Sequence, residues 1–335
     1  MDSENTIDLS TYRSQDEAVY GETNRKIIGA KDYDLVDDGS KINRIGGKMP
    51  KKFVRMSKHL FSEYFSEKEK GTAFYGTCFS NDEKEEYLPK LIPSLAKMCS
   101  TKKQMIYETY VPRILNYFKI PAAFNVPCKD VNGYSYVASI DFIKPDERFT
   151  LLTDIRPFNG DFGYHGSLKE SLDYVGEVIQ EFYKEKNMKL TSEVFEQHMT
   201  EFVKSYFVRV MLLGDCDFSA RNYGVLYNEQ TNTLRMAPNF DFELCFRPVN
   251  MDLIRKDLEF LEENFPELTK ELIDTTRKLV KDKRGVRDCQ SIYNKLFKPS
   301  KIGKPASEFV EEGANDLLTE YAKLTGKQEN EIHII

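Results

Sequence analysis

The 335-residue chain predicts an α+β fold, β-rich through residue 141 and mainly helical from 142 to 335. Three observations predict it. Short runs of extended-type residues bounded by turn residues fill much of the N-terminal part. From residue 151 onward, apolar residues recur at helical spacing. The helical part is interrupted at 206–246, which reads as a helix end, a polar loop, a two-stranded hairpin and a second polar loop.

Composition narrows the function classes. A 40% hydrophobic content supports a sizeable core, enough for one two-lobed domain or two modest ones. A net charge of −6 argues against a nucleic-acid binder, which usually carries a basic excess. The Lys-rich patches at 51–58 and 278–284 have acidic neighbours and read as solvated faces. No run reaches the length of a membrane span, and MDSENTIDLS lacks the plan of a signal peptide. The expectation is a cytoplasmic chain with no membrane and no direct nucleic-acid partner; delivery to another cell is compatible with the same sequence. The cysteines show no C-x-x-C and no histidine at ligand spacing, so a structural zinc site is not expected. Cys216 adjoins Asp217, but no histidine near it in sequence would activate a nucleophile.

In chain order, TIDLSTYR, RKIIGAKDYDLV and KKFVRM predict strands, with a turn at Asp37-Asp38-Gly39-Ser40. The run Ile45-Gly46-Gly47-Lys48 is not a phosphate loop: Ile42 and Met49 stand where that motif needs Gly and Ser or Thr. Residues 61–103 are highly charged and carry Gly71, Pro89 and Pro93; they predict an insertion of short helices. Next, Ile106, Tyr110, Val111, Ile114, Leu115 and Phe118 recur at helical spacing, and Pro112 implies a kink or a short first turn. A strand over 133–145 starts from an Asn-Gly turn. Ser167 and Glu170 form a capping box before a stripe of Leu168, Leu172, Val175, Ile179 and Phe182. A helix over 192–213 turns Phe202, Tyr206, Phe207 and Val210 inward, with His198 a surface or half-buried residue. Further helices are expected at about 250–264, 266–282, 286–297 and 306–325.

Chemistry concentrates in the interruption. Asp217, Asn222 five positions later and Asp241 beyond the hairpin are the groups that phosphoryl transfer requires. One carboxylate orients the attacking hydroxyl, while an amide oxygen and a second carboxylate hold a divalent cation on the phosphates. A strand leading away from the site and one returning would put all three at one mouth. The plainer reading is turn chemistry, since Asp, Asn and Ser end helices and bond to nearby backbone.

The flanking residues argue for the first reading. The run resembles the catalytic and metal loops of HipA-like serine/threonine kinases, with Leu213, Gly214, Asp217, Asn222, Gly224, Leu226, Ala237, Pro238, Phe240 and Asp241 in register. The chain departs from that pattern at Phe218-Ser219, where the family has Arg-His, and at Asp215, where it has Asn. The resemblance implies a bilobal protein-kinase-like fold. Residues 1–141 would form the small nucleotide-binding lobe, with the charged insertion at about 61–103. Residues 142–335 would form the large lobe, with catalytic loop 214–224 and metal loop 237–246.

It also implies ATP and Mg2+ as cofactors and transfer of the γ-phosphoryl group to a protein hydroxyl. Asp217 would be catalytic, Arg221 would place a cation by the γ-phosphate, and Asn222 and Asp241 would bind metal. Arg55 and Glu108 would fix the α/β-phosphates, with Lys52 and Lys58 as other candidates and a surface edge-strand arginine as the plainer reading of Arg55. Ile140 to Phe142 would be the adenine hinge. A phosphate-covering loop would fall around Gly21, although one glycine reads equally as a turn. Partners would be a protein substrate and an antitoxin or regulatory protein. The alternative is a catalytically degenerate kinase fold acting as a nucleotide- or protein-binding regulatory module.

Overall fold

The computed structural model describes residues 51–57, 91–99, 101–123, 125–129, 135–140, 142–143, 146–158, 166–282 and 306–326. The strands expected before residue 50, the loop around Gly21, Lys58 and the helix at 286–297 lie outside the described residues.

An antiparallel sheet of order β1-β2-β4-β3 occupies the N-terminal part. Its strands are β1 (Lys51–Ser57), β2 (Leu91–Met98), β3 (Asn125–Lys129) and β4 (Ser135–Ile140). Residues 61–90 lie outside the described residues; over 91–98, β2 corrects the expectation of short helices in 61–103. It pairs with β1 on one side, Arg55 opposite Pro93, and with β4 on the other. Both partners are distant in sequence, so the strand is made by tertiary pairing rather than by local preference. β3 was not expected either. Pro127 is tolerated there because β3 is an edge strand, where a missing N–H breaks no ladder.

Helix α1 (Lys102–Tyr117) follows β2, its first turn closed by a Thr101–Gln104 capping box. Pro112 stays inside the helix. Its ring nitrogen cannot donate to the Glu108 carbonyl, and the side chain of Asn125 takes that acceptor instead at 2.7 Å.

The hairpin β6 (Gly224–Asn228) and β7 (Thr233–Met236) gains a third strand, β5 (Glu147–Leu151), pairing Leu151 with Gly224. A Cβ at Gly224 would lie 2.6 Å from the Thr150 carbonyl oxygen and 2.8 Å from the Phe149 ring. Glycine is what admits β5 so close.

Among the described residues five long helices follow: α2 (Leu168–Glu185), α3 (Ser192–Tyr206), α4 (Met251–Asn264), α5 (Pro266–Lys281) and α6 (Ala306–Thr325). The helix expected over 192–213 is α-helical only to Tyr206; Phe207–Leu212 is a π segment. One core runs from Val111 and Leu115 of α1 through Val175, Phe202, Leu258 and Leu317. A smaller cluster of Cys99, Met105 and Val137 lies beneath the four-stranded sheet. Burying a side chain of this size contributes about 1.5–3 kcal/mol. His198 is buried, its Nε2 3.3 Å from the Tyr183 hydroxyl. No helix among the described residues is long and apolar enough to cross a membrane.

Asp257 ties three helices together from a buried position on α4. Its carboxylate accepts from the Leu168 N–H that opens α2, at 2.9 Å, and from the Tyr206 hydroxyl of α3, also at 2.9 Å. Burial holds this carboxyl up at about 6, although both donors favour the ionised form. A raised folded-state pKa means that the stabilisation is fully present below the ordinary value of 3.8 and is lost as pH rises through about 6. We expect the stability of the wild type relative to Asp257→Asn to fall across this window. Urea midpoints measured at intervals of pH check this, and a constant difference would refute it.

Candidate active site

The end of α3 determines where the site lies. At the π segment the helix loosens, and the chain leaves it through Gly214 at φ +56°. A Cβ there would meet the Arg247 carbonyl oxygen at 2.0 Å, so both the turn and the close packing require glycine. From this point the 214–217 loop runs alongside the 241–247 loop. Phe246 N donates to Leu213 O at 2.6 Å, Arg247 N to Gly214 O at 3.1 Å and Cys216 N to Leu244 O at 3.4 Å.

Arg209, inside the π segment and fully buried, locks the two loops together. Its Nε donates to Asp215 Oδ2 at 2.7 Å. Its other nitrogens donate to the Phe240 carbonyl at 3.1 Å and the Asp241 carbonyl at 2.9 Å. The rings of Phe218 and Phe242 lie 4.6 and 4.9 Å from the guanidinium carbon. Asp241 takes a left-handed φ of +62°, which Asp tolerates better than most residues. The Arg209 bond to its carbonyl helps hold it there. Phe218 is thus a fully buried ring beneath Arg209 and against Phe202 and Tyr223.

Two polar groups converge above this base. In the first, Asn222 Nδ2 donates to the Asp217 carboxylate and to the Asp217 carbonyl, both at 2.8 Å. Asp215 Oδ1 accepts from the Asp217 N–H at 3.1 Å, orienting the loop from below. Burial raises the Asp217 carboxyl above its usual range, and the charges of Asp241 and Asp215 add to the effect. Asn222 pulls the other way.

The second group is centred on Lys97, near the end of β2. Its ammonium meets Glu108 Oε1 at 3.1 Å, Glu243 Oε2 at 3.0 Å and the carboxylate of Asp241. Burial alone would lower the Lys97 pKa, but the three carboxylates outweigh it and hold the ammonium well above its ordinary value. Glu108 is buried on α1, and Asn125 fixes it by donating to Oε2 at 3.2 Å as well as to its carbonyl. Burial pushes the Glu108 carboxyl up to about 7; Lys97 opposes this and Asp241 reinforces it. Three acids share one ammonium, and the most buried of them carries the surplus.

The structure therefore places Asn222 against Asp217, and brings Glu108 and Asp241 to a common cation. That cation is Lys97. Arg55 lies on β1 and its side chain is outside the described residues. The helical expectation for 61–103 hides Lys97, because only the pairing of β2 with β1 and β4 makes a strand there. The available signal was an apolar run, LIPSLAKM, ending just before the Thr101 cap. Arg221 is exposed on the loop. Ile140 ends β4, with its side chain outside the described residues, as is the whole of Asp141. Phe142 is buried, ring to ring with Phe149 and Phe240, and its carbonyl accepts from Arg235 at 3.2 Å. Phe142 thus contacts the 237–246 loop through Phe240. Cys216 is a free thiol whose pKa is raised by burial and by Asp215, the wrong direction for a nucleophile.

The oxygens of Glu108, Asp241 and Glu243 lie within 4.8 Å of one another, and carboxylate and amide oxygens suit a hard divalent cation. The Asn222 amide nitrogen is committed to Asp217.

No protein-family model matches the chain, and no curated protein matches it. Among solved structures it is similar to CtkA, a proinflammatory kinase of Helicobacter pylori. That match has 15% identity and a TM-score of 0.44, covering 70% of this chain and 91% of that one. It is also similar to HipA of Shewanella oneidensis MR-1, in a toxin–antitoxin complex with HipB and operator DNA. Here identity is 12% and the TM-score 0.40, over 70% of this chain and 59% of the other. At these values neither likeness assigns an activity.

Replacing Arg209 by Met should strand Asp215 as a buried charge and cost about 3–5 kcal/mol. The double variant with Asp215→Asn should recover part of that loss. Urea unfolding checks both. A cost for Arg209→Met near the roughly 0–1 kcal/mol of a surface ion pair would show that the pair does not hold the loops.

Proposed function

We propose that the chain is an ATP- and Mg2+-dependent phosphotransferase of HipA-like type, acting on a serine or threonine hydroxyl of a protein. The observation that supports it best is the Lys97 ammonium between Glu108 of α1 and Asp241 of the metal loop, beside the Asp217–Asn222 pair. The four-stranded sheet with α1 would serve as the nucleotide-binding lobe and the helices with the second sheet as the large lobe.

Lys97 takes the role that the sequence offered to Arg55, a compact cation on the α/β-phosphates kept in place by Glu108. Asp241 and Asn222 Oδ1 are assigned to Mg2+, which when bound neutralises charge on the phosphates. Arg221, on the same loop, adds positive charge at the γ-phosphate. Asp217 orients the incoming hydroxyl and accepts its proton as the oxygen bonds to the γ-phosphorus and the bond to the β,γ-bridging oxygen breaks. A carboxyl held above its ordinary range by burial and by neighbouring acids is a better base for this than a solvated one. Phe240, packed on Phe142, joins the expected adenine hinge to the metal loop.

The other reading is a degenerate kinase fold that binds nucleotide or protein without catalysis. Phe218-Ser219, an arginine at position 55 as the phosphate cation and a loop with the single glycine Gly21 all argue for it; the Phe218 ring itself packs under Arg209. An antitoxin or regulatory partner belongs to the same proposal, with the substrate protein to be identified by phosphorylation in lysate.

Asp217→Asn should lower phosphate incorporation by about 10²–10⁴-fold or more, with the melting temperature nearly unchanged because the volume is preserved. Labelled ATP and intact-mass measurement of autophosphorylation check this. Incorporation that survives the change refutes the role of Asp217. Lys97→Met and Asp241→Asn should each abolish the rise in melting temperature produced by Mg·ATP.

A further inference from the structure

The third carboxylate on Lys97 has no role in the reaction just described. An ammonium has three protons to donate. Here Glu108 and Asp241 accept hydrogen bonds from it and Glu243 Oε2 lies 3.0 Å away as a third ion-pair partner, so a phosphate oxygen approaching Lys97 competes with carboxylates already in place. The three are not equally able to leave. Glu108 is buried on a helix and bonded to Asn125, and its departure would strand both. Asp241 has its backbone fixed by Arg209 and its side chain assigned to the cation. The Glu243 side chain is 23% exposed, and among the described residues its only ion-pair partner is Lys97. It stands two residues beyond Asp241, in the same loop.

We propose that Glu243 is an internal stand-in for nucleotide phosphate, occupying Lys97 in the empty protein and swinging to solvent when a nucleotide polyphosphate arrives. Resting on the nucleotide-binding reading of this site, it adds regulation to it: the chain carries its own competitor. Three carboxylates around one ammonium leave surplus negative charge where an anionic ligand must enter. Removing the mobile carboxylate therefore lowers the barrier to occupancy twice, by freeing the ammonium and by reducing repulsion. Apparent affinity scales with the fraction of molecules that are competent to bind, so a latch closed in about nine molecules of ten weakens binding about tenfold.

The test is isothermal titration of the full chain with Mg2+ and the β,γ-imido analogue of ATP, and separately with adenosine. Wild type is compared with Glu243→Gln, Glu243→Ala and Lys97→Met, each checked for an intact melting transition. Both Glu243 variants should bind the analogue about three- to tenfold more tightly than wild type. They should bind adenosine, which carries no phosphate, with unchanged affinity. Analogue binding by the Glu243 variants but not by wild type would also support the latch. Unchanged binding in both, while Lys97→Met loses it, overturns the latch and leaves the nucleotide site standing. Weaker binding overturns it too and makes Glu243 a cation ligand. If no variant binds the analogue, the nucleotide reading falls and the latch falls with it.

Discussion

A buried guanidinium with no exposure to solvent can persist only if every one of its donors is used and its charge is answered. Arg209 meets both conditions by gathering Asp215 on two of its nitrogens, the Asn239 side-chain oxygen and the backbone carbonyls of Phe240 and Asp241. Those partners come from the two loops that carry the candidate chemistry. Their relative position follows from the needs of the arginine, not from preferences of either loop. The π segment fits this account, since it departs from the α-helical path at the residues that include Arg209. Such departures often accompany functional sites. Phe218 and Phe242 complete the enclosure with their ring faces.

On this base the electrostatics of the site are graded rather than uniform. Asp215 is paired with a buried cation, Asp241 shares Lys97, and Asp217 has an amide donor but no cation of its own. The result is three neighbouring acids with three different sets of partners. Asp217 and Glu108 are pushed toward the protonated form by burial and by like charge.

The surplus of acid over base around Lys97 has a structural consequence as well. Glu108 of α1 and Asp241 of the 237–246 loop accept hydrogen bonds from the ammonium, and Glu243 adds a third ion pair. On the proposal made above, that third contact competes with an incoming anion.

Much of this was written locally in the chain. Helices α2, α4 and α5 follow from apolar spacing and end residues, and the hairpin from its alternation, because neighbours in sequence decide those features. Asp217, Asn222 and Asp241 could be singled out by residue type and spacing around that hairpin, and Glu108 only through the resemblance. Other features depended on partners far along the chain. β2 becomes a strand only between β1 and β4, and with it Lys97 arrives opposite a helix glutamate 11 residues away and an aspartate 144 away. β5 is recruited by a hairpin more than seventy positions later. Periodicity records which face a residue presents to its own element. Which distant charge waits on the other side is decided by packing alone.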